Sequence, residues 1–166
     1  MTEGRRTMTI RRFVDADAPA VSALIIETMR VSNTRDYSAA DMEALILHQQ
    51  PENVLQRASW THFYVAEENG AVVGCGAIGP YWGKRDESSL FSIFVRPDCQ
   101  GRGIGRKIVE TLEADEYARR AWRIEIPASI TGLPFYLKLG YTYKNGNDQL
   151  DEEKLYRLEK IRRTPI

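Results

Sequence analysis

The sequence is short of the residues that staple or metallate a small fold: among 166 residues there are two cysteines and two histidines. Cys75 and Cys99 are too few for a disulfide framework and too far apart for a zinc knuckle, so both are read as reduced thiols. His48 and His62 stand at no metal-ligand spacing with each other or with either cysteine, and no metal is expected. A charge excess is missing too. Twenty-three Lys and Arg against 23 Asp and Glu give a formal net charge of +0, so nothing global points to a nucleic acid or a membrane, although a local basic cluster can still hold an anion. No stretch approaches the roughly 20 apolar residues that span a bilayer, and residues 1–7 lack the apolar run of a signal peptide, so a cytoplasmic location is expected. Repeats, low-complexity runs and interdomain linkers are absent as well.

What is present suffices for one core. A hydrophobic fraction of 43% predicts a single domain over residues 8–160, with a flexible segment at 1–7 and a tail at 161–166. Residues 8–14 are rich in β-formers, and Asp15 and Asp17 follow as helix N-cap candidates. From Pro19, Val21, Leu24, Ile25 and Met29 recur at helical spacing until the polar stretch 32–36. A second short helix is capped by Ser38, shows Met42, Leu45 and Ile46 on one face, and has Pro51 just beyond its end. Runs 62–67 and 71–78, joined by Glu68-Asn69-Gly70, predict a hairpin, and 88–95 adds a third strand.

After a glycine loop, Ile104, Ile108 and Leu112 mark the apolar face of an amphipathic helix. The alternating run 122–126 predicts a strand parallel to 88–95, with a right-handed crossover. A short helix over about 132–139 is stopped by Gly140, and strands at 141–144 and 154–159 finish the chain. The order β-α-α-β-β-β-α-β-α-β-β is an α/β (α+β) fold whose sheet of about six to seven strands mixes antiparallel and parallel pairs, flanked by about four helices.

The chemistry concentrates in Gln100-Gly101-Arg102-Gly103-Ile104-Gly105. It follows an apolar strand end, Ile93-Phe94-Val95, and opens a helix. Unpaired amides at a helix start converge on one point, the macrodipole adds about half a positive charge, and glycine lets a ligand approach the backbone. A phosphate or pyrophosphate suits such a cradle, and Arg102 and Arg106 add charge beside it. The dinucleotide pattern Gly-x-Gly-x-x-Gly fails from either Gly101 or Gly103. The triphosphatase loop fails at Gly79 to Gly83-Lys84, which has three intervening residues and then Arg85. Read without further context, the glycines fit equally well a role that only tightens a strand-to-helix turn.

The pattern Val95-x-Pro97-x-x-Gln100-Gly101-x-Gly103-Ile104-Gly105, followed by the amphipathic helix, resembles the acetyl-CoA motif of the GNAT superfamily of N-acetyltransferases. A later block, Pro134-Phe135-Tyr136-Leu137-Lys138-Leu139-Gly140-Tyr141, resembles that family's helix-and-strand motif. The resemblance implies a GNAT-like, mostly antiparallel mixed sheet and acetyl-CoA as co-substrate. It implies that the pantetheine arm pairs with the edge formed by Ile93, Phe94 and Val95, and that amides from Gly101 to Arg106 hold the pyrophosphate. A backbone N–H near Phe94 or Val95 then polarises the thioester, and Tyr136 is the general acid for the departing thiolate.

Other roles are less anchored. Glu87 is the candidate base, two residues from the position where some relatives carry theirs, which here is Ser89; a solvated surface glutamate is the competing interpretation. Ser129 stands where the family often has asparagine, as a candidate coenzyme contact. Tyr37, Tyr81 and Trp82 are expected to line the acceptor pocket, because connections carry recognition. The expected reaction is direct transfer, in a ternary complex, to a primary amine of a small molecule or peptide, with homodimerisation left open. The rival is a non-catalytic acetyl-CoA binding or sensing module.

Overall fold

The computed structural model describes residues 7–32 and 34–163. Seven strands form one sheet in the order β1-β2-β3-β4-β5-β7-β6. They are β1 (Met8–Arg12), β2 (His62–Glu68), β3 (Ala71–Pro80), β4 (Glu87–Val95), β5 (Arg123–Ala128), β6 (Thr142–Tyr143) and β7 (Tyr156–Ile161). Every neighbouring pair is antiparallel except β4 with β5. The fold is the mixed α/β sheet that the pattern predicts. The hairpin between β2 and β3 turns on Asn69 and Gly70, both at positive φ, as an Asn-Gly turn requires.

Six α-helices accompany the sheet: α1 (Ala18–Ser32), α2 (Ala39–Leu47), α3 (Pro51–Trp60), α4 (Ile104–Glu113), α5 (Glu116–Arg119) and α6 (Leu133–Lys138). Two of them, α3 and α5, are absent from the predicted order. Pro51, read as lying beyond the end of α2, is instead the first residue of α3. A proline is tolerated there because the first amides of a helix have no intrahelical partner. Only Val54 of α3 is buried, and the helix as a whole carries few large apolar residues. β5 runs through Pro127 to Ala128, whereas the predicted strand stops at 126. Pro127, with no N–H to give, falls beyond the last β4–β5 partner pair, Ser89 with Glu125, where the two strands have parted.

Alternating side chains of β2 enter different cores. Phe63 and Val65 pack with α1, α2 and α3, while Tyr64 and Ala66 pack with α4 and the later elements. Helices therefore cover both faces, and the second core is closed by Ile104, Ile108, Val109 and Leu112 of α4. Contact there is close. A Cβ on Gly76 would come within 2.6 Å of Ile108, so glycine in β3 is what lets α4 lie down on the sheet. Among the described residues no helix is long and apolar enough to cross a membrane. The expected flexible segment 1–7 and tail 161–166 lie largely outside the described residues. Where the structure reaches them, Ile161 closes β7 and Arg162 donates to Glu113.

Candidate active site

Two features of β4 open the site. Its parallel pairing with β5 ends at Ser89 and Glu125, and its register against β3 shifts between Cys75 and Ala77, which face Phe94 and Phe91. Ser92 and Ile93 therefore oppose the single residue Gly76, a bulge in which Ser92 takes φ 53°. A non-glycine residue in this region is strained by about 1–3 kcal/mol and needs its surroundings to hold it. Arg57 of α3 donates to Ser92 Oγ at 2.8 Å, and the Cys75 thiol donates to the Ser92 carbonyl at 3.2 Å. Arg57 was not singled out from sequence as serving the site, because α3 itself was not foreseen.

Beyond the bulge, a cleft of about 650 Å³ separates the end of β4 from α6. Ile93, Phe94 and Val95 form one wall, the loop from Gln100 to Arg106 forms its end, and Ser129, Phe135 and Tyr136 form the other wall. The loop earns its glycines: Gly101 and Gly103 sit at φ 78° and 80° with nothing within 4 Å of an added Cβ, leaving open space at the helix start. The first helical bond runs from the Lys107 amide to the Gly103 carbonyl, so the amides of Ile104, Gly105 and Arg106 precede it. No acidic residue lies in the first turn to neutralise the dipole. A diphosphate fits this charge and this space.

Individual side chains differ in what they offer. Gln100 donates through Nε2 to Ser32 Oγ at 3.2 Å and to the Val95 carbonyl at 3.1 Å, tying α1 to the strand end. Arg106 lines the cleft, whereas Arg102 does not; its guanidinium is bound to the buried Glu68 carboxylate. Ser129 lines the cleft, and its Oγ accepts from the Gly132 amide at 2.9 Å ahead of α6. Tyr136 is buried, lines the cleft, and has no hydrogen-bond partner for its hydroxyl among the described residues. Burial raises the pKa of its phenol, so it stays protonated at neutral pH.

A second groove of about 490 Å³ lies further back along β4. Trp60, Tyr81, Trp82 and Phe91 give it aromatic walls, and Ser89, Glu125 and Arg157 give it polar ones. Tyr37, the third expected acceptor contact, lines neither cavity. Its buried hydroxyl donates to the Lys154 carbonyl and accepts from the Ile130 amide, both at 3.1 Å. Glu87 lines neither cavity either; it is bound by Arg123 at 3.1 Å and Lys84 at 2.9 Å. Burial alone would raise its pKa, but these two cations outweigh burial and hold the carboxyl below its ordinary value, which makes it a weak base.

Arg123 organises the buried charge beneath the second groove. Its guanidinium donates to Glu159 at 3.0 Å, to Glu87 at 3.1 Å and to Glu125 at 2.7 Å, with the Tyr81 ring 5.1 Å away. Sequence reasoning passed over Arg123 and Glu125 because a strand alternating charged and apolar residues reads as half solvated. The signal available was position, since a strand parallel to the one before it is covered on both faces.

Residues 59–143 match the family model described as the acetyltransferase (GNAT) domain, a span that contains both the glycine loop and α6. The chain belongs to the GNAT acetyltransferase family. An uncharacterized N-acetyltransferase of Methanocaldococcus jannaschii is 35% identical to this GNAT chain over 91 residues, covering 49% of this chain and 39% of the relative. An amino-acid acetyltransferase of Ralstonia nicotianae is 31% identical over 96 residues, 57% of this chain and 21% of the relative. An uncharacterized N-acetyltransferase of Chlorobaculum tepidum is 33% identical over 99 residues, 60% of this chain and 54% of the relative. The GNAT chain thus matches about half or less of the length of these curated relatives.

Solved structures share the GNAT fold along nearly the whole chain. PaiA N-acetyltransferase from Thermoplasma acidophilum, in complex with coenzyme A, superposes with a TM-score of 0.78 at 15% identity, over 93% of this chain and 99% of the other. A GNAT acetyltransferase from Brucella melitensis in complex with acetyl-CoA gives 0.64 at 21% identity, over 97% and 93%.

Proposed function

We propose that this chain is an acyltransferase that moves the acetyl group of acetyl-CoA directly onto a primary amine of a small molecule or peptide. The observation that carries the reading is the paired geometry of β4. Ile93 and Phe94 line the cleft that ends in a diphosphate cradle, while Phe91, two residues back, lines the aromatic groove. Two residues of chain span at most about 7 Å, a short distance between a thioester at the bulge and an amine in the groove. The family and the coenzyme-bound neighbours support acetyl-CoA as the co-substrate.

In this reading the amides of Ile104, Gly105 and Arg106 and the Arg106 side chain hold the diphosphate, and the freed edge of Ile93, Phe94 and Val95 pairs with the pantetheine arm. The amine reacts neutral, having given one proton to solvent. Its nitrogen forms a bond to the thioester carbonyl carbon, and a backbone N–H near Phe94 or Val95 faces the oxygen that gains charge. The carbon–sulfur bond breaks, the leaving sulfur takes the Tyr136 proton, and the nitrogen gives its second proton to solvent. The phenol regains a proton from solvent through the open cleft. Amide and free thiol are the products. Ser129, with its Oγ already accepting from Gly132, orients α6.

The test is acetyl-CoA-dependent thiol release across an amine panel, with Tyr136→Phe beside the wild type. The variant is expected to lower kcat about 100-fold, the low end for general acid catalysis, with acetyl-CoA affinity unchanged. Acetyl-CoA binding without thiol release from any amine would establish a sensing module instead.

A further inference from the structure

The aromatic groove carries information about the acceptor that the family does not supply. Glu125 is 2% exposed, yet its two oxygens are treated unequally. Oε1 is held at 2.7 Å by both Arg123 and Lys144, whereas the charged group nearest Oε2 is Arg157 Nη1 at 3.9 Å, beyond hydrogen-bond length. Oε2 thus has no donor within hydrogen-bond length among the described residues, and it belongs to a residue that lines the groove. The groove therefore presents an acceptor for an N–H group.

Its walls define what carries that N–H. Tyr81 is already engaged, with Arg123 and Lys144 each 5.1 Å from its ring. Trp60 and Phe91 meet edge to face at 5.1 Å, and Trp82 is 86% exposed at the mouth. An indole that solvent reaches this freely has little packing role, and its face is available to a ligand. Charge sets the limit. Glu125 is the sole carboxylate among the described residues lining the groove, and Arg157 there is already paired with Asp151 at 2.7 Å, so a second cationic centre on the acceptor would find no carboxylate partner.

We infer that the groove selects a primary monoamine on an aromatic or bulky apolar body, its nitrogen donating to Glu125 Oε2 and its body lying against Trp82 and Phe91. Polyamines and aminoglycosides are disfavoured. The inference rests on the acyl-transfer reading for the groove's purpose, but binding reads it out without turnover.

Calorimetry on the coenzyme A-loaded protein, with phenethylamine and spermidine as probes, tests it. Phenethylamine is expected to bind roughly ten-fold more tightly than spermidine, and Trp82→Ala to weaken phenethylamine about five-fold, the scale of an exposed aromatic contact. Glu125→Gln is expected to weaken phenethylamine further while coenzyme A affinity holds. Trp82→Ala keeps the test sound if that variant fails to fold. Tighter binding of spermidine, or an unchanged phenethylamine affinity in Trp82→Ala, overturns the inference. Absence of thiol release with every amine, beside intact phenethylamine binding, instead overturns the transfer reading.

Discussion

Replacing Gly103 by alanine separates the two duties of that residue. At φ 80° and ψ 8° the N-cap of α4 is left-handed, and a side chain there costs about 1–2 kcal/mol in backbone strain. An added Cβ meets nothing within 4 Å, so no packing clash is added to that figure. For a chain of 166 residues each kcal/mol corresponds to about 2–4 °C, and a fall in Tm of about 2–8 °C is expected. The space that receives the Cβ is the space proposed for the diphosphate. Displacing the anion from charge-assisted amide contacts removes about 1.5–3 kcal/mol, or roughly 10- to 150-fold in acetyl-CoA affinity. Gly70 supplies the matched control: its φ is 79°, an added Cβ also meets nothing within 4 Å, and it lies in the hairpin turn outside both cavities. Gly70→Ala should lower Tm comparably and leave acetyl-CoA affinity unchanged in calorimetry. If Gly103→Ala binds acetyl-CoA like the wild type, or Gly70→Ala weakens it as much, the cradle argument is refuted.

Arg123→Met leaves Glu87, Glu125 and Glu159 without their shared cation, and a loss of about 3–5 kcal/mol in urea unfolding is expected. A loss under 1 kcal/mol would show that Lys84 and Lys144 suffice. Acid titration of stability isolates Asp115: burial alone would raise its carboxyl, yet hydrogen bonds from Tyr64, the Tyr117 amide and His62 hold it below its ordinary value. A carboxyl lowered on folding contributes stability that is present above its unfolded pKa, near about 3.9, and lost as pH falls through the folded value. Tyr64→Phe should therefore be less stable than the wild type by a constant amount above about pH 5, with the gap closing below that. A gap independent of pH would remove Asp115 from the account.

Local patterns made most of the architecture legible. The 3.6 period of Ile104, Ile108 and Leu112, the Asn69-Gly70 turn and the glycine loop each express short-range sterics and hydrogen bonding, which neighbours in sequence decide among themselves. The proposed diphosphate cradle belongs to this class, since a strand end, a loop and a helix start are contiguous in the chain. α3 escaped because it carries few large apolar residues and its proline reads as a stop as readily as a start.

What only the tertiary structure decided is how charges from distant segments share one buried space. Sequence leaves Glu87 open between a base and a solvated glutamate, and only the fold brings Arg123 of β5 beside it, 36 positions along the chain. Glu125, by sequence only one charged position of an alternating strand, is enclosed by Trp60, the turn at Trp82 and Arg157, and Tyr37, expected in the acceptor pocket, has its hydroxyl claimed by residues 130 and 154. Periodicity reports which side chains seek a core, but the field at a carboxylate depends on cations within a few ångströms, and folding alone sets those distances.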